Sequence, residues 1–185
     1  MEIASSPTRE KYPLSTKKII KKTIAYSLVW IILLSFLTVP FSLIIATGSK
    51  SILLAIITYI IIMTVAVLLI YFYEVWYLKV YFYNLTEDFI VIRKGPITPR
   101  EITIPYERVQ DVYVDQDILD RIFGIYDVHL SSATISSGMA AHIDGVVKEH
   151  ADGLKEELLR TVSSKIAKTR NIPSTQVPLP PQPQS

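Results

Sequence analysis

The sequence predicts a transmembrane α-hairpin followed by a small α+β module, in which antiparallel strands form a barrel-like sheet that a C-terminal helix caps. Three observations predict this fold. Residues 24–45 and 52–73 are two runs of 22 residues without a charge. Beyond residue 79, short apolar or alternating segments lie between turn residues, which is typical of β-strands. From residue 146 the apolar period changes from 2 to 3.6, which indicates an amphipathic helix.

Both charge-free runs are long enough to cross a membrane. At a rise of about 1.5 Å per residue, 22 residues span about 33 Å, against a hydrocarbon core of about 30 Å. The first run exceeds the apolar region of a signal peptide, which is about 7–15 residues long. Two core helices of a soluble bundle are the less favoured alternative, because such helices are rarely apolar on every face. The sequence therefore predicts a retained hairpin with a six-residue turn at 46–51.

Basic residues indicate how the hairpin lies in the membrane. The predicted N-terminal arm, residues 1–23, carries six of them, whereas the turn carries only Lys50. Positive residues mark the cytoplasmic side of short loops. We therefore expect a protein of the cell membrane with two crossings, with its N-terminus, its C-terminus and everything from about Glu74 onward in the cytoplasm.

Composition argues against several functions. Neither charge-free run contains an ionisable residue, so the hairpin is predicted to be an anchor that contacts lipids rather than a channel or transporter. The chain has no cysteine and three histidines, which excludes thiolate metal sites, and no cofactor is predicted. His142 and Asp144 share a strand face, but no third metal ligand is evident. Residues 79–170 have a net charge of −2, so no nucleic-acid partner is expected.

The elements of the predicted cytosolic domain, residues 79–170, follow in order. Strands are expected at 79–83, 89–93, 100–104, 109–115, 126–131 and 139–143. Asp117 is predicted to cap a helical turn that Gly124 ends, and residues 133–138 form a loop. The final helix, 146–170, carries one apolar stripe made of Val147, Ala151, Leu154, Leu158, Val162 and Ile166. Residues 171–185 are rich in proline and are predicted to be a disordered tail.

Several spaced motifs of this domain resemble a known family. They are Tyr-Asn-Leu-Thr at 83–86, Ile-Val-Ile-Arg-Lys-Gly at 90–95 and Ile-Pro-Tyr-Glu-Arg-Val-Gln-Asp-Val at 104–112. With the Arg-Ile-Phe-Gly run at 121–124 and the turn at 142–146, they resemble the membrane-flanked bacterial pleckstrin-homology (PH) domain family of YdbS-like proteins. The resemblance covers about residues 24–165 and implies a PH-like β-barrel capped by a helix. It implies no assigned ligand or enzymatic activity, and phosphoinositide binding is not carried over.

These observations predict a membrane-anchored interaction or scaffold module without enzymatic activity. It would bind a protein partner or a second copy of itself at the cytoplasmic face, through an exposed strand edge or a groove. Arg108, Gln110 and Arg121 are the candidate interaction residues. The structural alternative for Arg108 is an ion pair with an aspartate (Asp111, Asp117 or Asp120), and for Arg121 the anchoring of a turn.

Two other functions stay open at the level of the sequence. One is sensing of anionic lipid by the domain and the basic arm, with Lys17, Lys18, Lys21 and Lys22 contacting headgroups, although a role in setting topology already accounts for these lysines. The other is an enzyme. It would require titratable groups that converge, for example His129 and His142 with two carboxylates.

Overall fold

The structure is a computed structural model that describes residues 6–49, 51–132 and 141–170. Its first half is dominated by two long helices, α2 (Lys17–Ser49) and α3 (Ile52–Val80), which follow a short helix α1 (Pro7–Lys11). Both long helices are long and apolar enough to cross a membrane. They pack against each other, and the hydroxyls of Ser35 and Tyr59 are hydrogen-bonded across the pair at 2.8 Å.

The large apolar side chains of this pair point outward. Phe36 is 90% exposed and Ile32 is 75% exposed in the isolated chain, which is the arrangement that lipid, not water, accommodates. Pro40 lies inside α2. The two helices are candidate membrane spans, and together they indicate a membrane protein.

Both helices continue beyond the charge-free runs. α2 also runs through Ser49, so residues 46–49 of the turn predicted at 46–51 are helical instead. α2 begins seven residues before residue 24, and α3 ends seven residues after residue 73, so each extends by about 10 Å. The two extensions lie at the same end of the hairpin, where the domain packs on them. The prediction of a strand at 79–83 is therefore wrong at its start, because residues 79 and 80 complete α3.

The domain contains two three-stranded antiparallel sheets. The first has the order β1-β2-β3 and the second the order β4-β5-β6. A short helix, α4, connects β4 to β5, and a long helix, α5, ends the described chain. The bounds are β1 Phe82–Leu85, β2 Phe89–Lys94, β3 Arg100–Pro105, β4 Val109–Asp115, α4 Ile118–Phe123, β5 Tyr126–Ser132, β6 His142–Val146 and α5 Lys148–Arg170.

The predicted closed barrel is not formed by the residues that the structure describes, and the fold class is corrected to two separate sheets. The break between β3 and β4 has a local cause. Pro105 lacks an N–H for a ladder, and a 3₁₀ turn (Tyr106–Arg108) follows it, so the chain leaves the first sheet before β4 begins. Residues 133–140 and 171–185 lie outside the described residues. The predicted loop at 133–138 and the predicted tail at 171–185 therefore fall outside the part of the chain that the structure describes.

The core lies between the two sheets and α5. The predicted alternation places one face of each strand inside, and the apolar stripe of α5 covers the sheets. Ala151, Leu154, Leu158 and Val162 of that stripe are buried, which confirms the prediction for the final helix. The last strand lies at His142–Val146, shifted from the predicted 139–143.

The segment before α2 packs on the domain. The hydroxyl of Ser6 donates to the carbonyl oxygen of Tyr83, and the backbone N–H of Leu85 donates to Thr8 Oγ1 at 3.0 Å. Further along, Leu14 forms a bridge with Val146 of β6. The segment therefore satisfies polar groups along the outer edges of β1 and β6, and it belongs to the folded unit.

Candidate functional site

The helix extensions meet the domain at a buried cluster of charged side chains, which we call the junction cluster: Lys18, Lys22, Lys94, His142 and Asp144. Lys18 comes from the first turn of α2, and Asp144 comes from β6. The Lys18 ammonium lies 2.7 Å from Asp144 Oδ2 and 3.2 Å from its backbone carbonyl oxygen. The two side chains are only 3% and 9% exposed, so this is a buried ion pair.

Two further ammonium groups and one imidazole surround the same carboxylate. Lys94 Nζ lies 3.3 Å from Asp144 Oδ1, and His142 Nε2 lies 2.8 Å from that oxygen. Lys22 Nζ is 3.8 Å from Oδ2. Asp144 is therefore the anion on which α2, β2 and β6 converge.

Aromatic rings from the end of α3 complete the cluster. The Lys18 ammonium lies 4.5 Å from the ring centroid of Tyr81, and Lys94 Nζ lies 5.3 Å from the same ring. Lys22 Nζ lies 5.0 Å from the ring of Tyr77. Such cation–π contacts stabilise lysines away from water. Because Tyr81 also donates a hydrogen bond to the carbonyl oxygen of residue 142 at 2.9 Å, α3 is fixed to β6.

The electrostatics of the cluster follow from burial and from this crowding of cations. Burial alone would raise the pKa of Asp144, but Lys18, His142 and Lys94 outweigh it and hold that pKa well below its usual range. Burial lowers the pKa of the Lys94 ammonium. Burial, reinforced by the charge of Asp144, raises the pKa of Asp127. Asp144 therefore stays ionised at neutral pH, and its carboxylate faces Lys18, Lys22 and Lys94.

A second contact joins α2 to the domain. Lys21 Nζ lies 2.7 Å from Asp117 Oδ2 and 2.5 Å from Asp120 Oδ1. Asp120 is 1% exposed, so its carboxylate depends on this lysine. The predicted capping role of Asp117 is confirmed, because its side chain accepts from the N–H of Asp120 in a capping box, and Gly124 ends α4 as predicted.

The junction cluster is suited to a structural joint. Its charged groups contact one another. Lys18, Lys21 and Asp127 are among the residues that line a cavity of only about 110 Å³. Within residues 6–49, 51–132 and 141–170, no three histidine, aspartate or glutamate side chains form a group that could hold a metal ion. His142 and Asp144 do face each other, as the sequence predicts for a shared strand face, but lysines fill the positions around the carboxylate.

The two histidines named in the enzyme hypothesis do come together. The rings of His129 and His142 stack at 5.3 Å between centroids, and Tyr113 stacks on His129 at 4.9 Å. His129 Nε2 lies 3.1 Å from Asp115, whereas His142 is bonded to Asp144. Each imidazole thus has its own carboxylate. His142 and Asp144 line the small junction cavity, but His129 and Asp115 do not, so the two pairs do not share it.

The predicted interaction residues are all exposed but do not form one site. Arg108 lies in the 3₁₀ turn and Gln110 in β4, next to a bulge, so these two are neighbours at the corner between the sheets. Arg121 lies in α4, beside α2. None of the three side chains has an ion pair or side-chain hydrogen bond with the part of the chain that the structure describes. The alternative pairing of Arg108 with Asp111, Asp117 or Asp120 is not found among the described residues, and Lys21 binds the last two carboxylates.

The four lysines predicted to contact lipid differ in their surroundings. Lys18 is buried against Asp144, and Lys21 is bound by two aspartates. Lys22 is half-buried at the junction cluster, and Lys17 is exposed. Contact with headgroups stays a prediction. Sequence reasoning missed the partners Asp144, Lys94 and Tyr81, and the one available signal was an isolated aspartate within an apolar strand.

Two outer strands have one edge without a strand partner among the described residues. The segment before α2 covers the outer edges of β1 and β6. The outer edges of β3 and β4, in contrast, have no strand partner among the described residues. Both edges end at the corner that carries Arg108 and Gln110, so the open backbone groups and the two exposed polar side chains lie together.

Comparisons with known proteins bear on the whole of this unit. A family model described as the bacterial PH domain matches residues 23–162, which include most of α2, all of α3, both sheets and most of α5. Searches of the curated proteins and of the solved structures give no significant match.

Proposed function

This chain belongs to the bacterial PH domain family, and on that premise we propose that it is a membrane-anchored, non-enzymatic interaction module. The hairpin holds the domain at the cytoplasmic face of the cell membrane, with both termini in the cytoplasm. The domain binds a protein partner or a second copy of itself along the outer edges of β3 and β4. The single observation that carries the proposal is the contrast between these open edges and the covered edges of β1 and β6.

An open edge offers a row of unpaired N–H and C=O groups that an extended segment can pair with. Soluble proteins commonly block such edges, and this chain blocks two of its four outer edges with its own N-terminal segment. Arg108 and Gln110 supply exposed side-chain donors beside the open pair. Backbone pairing would give affinity, and these two side chains would contribute specificity.

The junction cluster supports this function by fixing the domain to its anchor. Because α2, α3, β2 and β6 all contact Asp144 or Tyr81, the edges are held at a set distance from the bilayer. Confinement to a membrane raises the effective concentration of partners that are confined there too. A weak edge contact can then be sufficient.

A photo-crosslinking experiment on the full chain in native membranes tests the proposal. A photoreactive amino acid replaces Thr103 in β3 or Gln110 in β4, both exposed, and the matched control replaces the exposed Asp152 in α5. We expect one discrete adduct from Thr103 and Gln110 and none from Asp152. Adding Arg108→Ala should reduce the adduct formed from Gln110 several-fold.

The mass of the adduct distinguishes the two forms of the proposal. Twice the chain mass indicates a second copy, whereas another discrete mass indicates a different protein. If Thr103 and Gln110 form no more adduct than Asp152, the edges are not an interaction surface and the proposal fails.

Sensing of anionic lipid by the domain and the basic arm is the alternative function. It requires free ammonium groups, and three of the four predicted lysines already have carboxylate partners. No observation in the structure favours it over the strand edges, so we place it second.

A further inference from the structure

We propose that α4 lies on the membrane surface beside α2, with Ile118 and Ile122 inserted among the lipids at the cytoplasmic interface. The partner of this surface is the bilayer itself. The inference goes beyond binding at the strand edges and does not depend on it, because α4 and the corner with Arg108 are different surfaces.

The first observation is an apolar face that the domain leaves uncovered. Ile118 and Ile122 are 83% and 70% exposed, and a spacing of four places them on one face of the helix. Asp120 is 1% exposed and lies on the other side, since two residues are about 200° apart around a helix. The short helix therefore buries the side chain of Asp120 and exposes the two isoleucines.

The second observation is where α4 is held. Lys21 of α2 binds Asp117 and Asp120 at 2.7 and 2.5 Å, so α4 is attached directly to the helix that enters the membrane. Lys21 precedes the first charge-free residue, Ile24, by three positions, which is about 4.5 Å along the helix axis. An element bonded at that level lies at the headgroup region, where the apolar faces of amphipathic helices are buried about 5–10 Å deep.

A second exposed isoleucine site lies at the same end of the domain. The turn between β2 and β3 carries Ile97, which is 69% exposed. It follows Lys94, whose ammonium reaches the carboxylate that also binds Lys18 of α2. Ile97 and the two isoleucines of α4 thus both lie beside the helical hairpin where it leaves the charge-free region.

The charges around these isoleucines suit a lipid surface. The exposed Arg121 lies within α4, and the exposed Arg100 begins β3 just after the turn with Ile97. The carboxylate of Asp120 is buried and neutralised by Lys21, which also binds Asp117. Arginine beside aliphatic side chains is typical of elements that lie in the interface of a membrane.

The bilayer is the occupant that the geometry supports. α4 is bound to α2 through Lys21, and the apolar surface of α2, which lipid must cover in any case, begins three residues further along the chain. A second copy of the chain would have to reach α4 past this same lipid. Covering by the bilayer requires no further partner.

The absence of cysteine from the chain permits a direct test with single labels. The full chain, carrying Ile118→Cys or Ile122→Cys, is labelled with an environment-sensitive fluorophore and reconstituted into vesicles that contain lipid with a nitroxide quencher near the headgroup. The control is Glu87→Cys, an exposed residue in the β1–β2 turn at the opposite end of the domain. Because all three positions are exposed, the substitutions should leave the fold intact.

We expect the labels at 118 and 122 to be quenched several-fold more strongly than the label at 87, and to emit at shorter wavelength. If all three labels are quenched equally weakly, α4 is not at the interface and the inference is overturned. Shielding at 118 and 122 that persists in detergent and grows with protein concentration, without quenching by the labelled lipid, assigns the surface to a second copy and also overturns it.

Discussion

Asp144→Asn is expected to lower the free energy of unfolding of the domain by about 3–5 kcal/mol, because removing one partner of a buried ion pair leaves the other charge without compensation. Lys18, whose side chain is 3% exposed, would either carry its charge without a partner or lose its proton, and either outcome costs free energy. Lys94 would lose the same partner.

The pH dependence of stability has a defined sign at this carboxylate. The pKa of Asp144 is held below its usual range in the folded chain, so the stabilisation it provides is present above about pH 4, the ordinary value for an aspartate. It is lost as the pH falls toward the folded-state pKa. The Asn variant should lack this contribution at every pH.

Thermal unfolding of the full chain in detergent, followed by near-ultraviolet circular dichroism of the buried tyrosines, measures the effect. A loss of this size corresponds to a decrease in Tm of about 10 °C or more. Asp152→Asn on exposed α5 is the matched control and should have no effect. Replacing both partners, with Lys18→Met and Asp144→Leu, should recover only part of the loss, because Lys94 would still lack its carboxylate. An Asp144→Asn variant as stable as the control would show that the junction cluster does not hold the domain.

Gly145→Ala is the second substitution with a large expected effect. The backbone of Gly145 has φ = +75°, and an added Cβ would lie 2.7 Å from Cδ and 2.9 Å from Cβ of Lys18. The left-handed conformation costs about 1–2 kcal/mol for a residue with a side chain. The collision with a buried lysine adds about 1–3 kcal/mol, the usual cost of overpacking.

Gly124→Ala supplies a control that separates the two costs. Gly124 also has positive φ, +64°, but nothing lies within 4 Å of its added Cβ. Its substitution should therefore show only the cost of the backbone conformation. We expect the Tm of Gly145→Ala to be clearly lower than that of Gly124→Ala in the same unfolding experiment. Equal losses would mean that Lys18 does not pack against Gly145 as the structure has it.

The sequence predicted the elements of this fold well where the signal is local. The absence of charge over 22 residues specifies a membrane helix, and alternation specifies a half-buried strand, because each depends only on near neighbours. The α5 stripe and the Asp117 cap are of the same kind. The sequence predicts a strand at Lys79 and Val80, because aromatic and β-branched residues occur in strands as well as in membrane helices. In the structure these two residues continue α3.

Long-range pairings were not predictable in the same way. The position of Lys18 before an apolar run indicates topology, whereas its partner lies 126 residues away in β6. Closure of a barrel similarly depends on whether strand edges meet across the domain. Here the turn after Pro105 and the packing of Ser6, Thr8 and Leu14 decide that they do not. The candidate interaction residues Arg108 and Gln110 were recognised, but their place beside two open edges required the structure.

The orientation of the chain is tested most directly by labelling single cysteines in intact cells with a membrane-impermeant thiol reagent. Gly48→Cys lies in the last turn of α2, next to the loop of the hairpin, and Glu101→Cys is an exposed position in β3 of the domain. We predict that the reagent labels Gly48→Cys in sealed cells and labels Glu101→Cys only after the membrane has been permeabilised. Labelling of Glu101→Cys in sealed cells, or equal labelling of both positions before permeabilisation, would contradict a domain anchored at the cytoplasmic face by two membrane crossings.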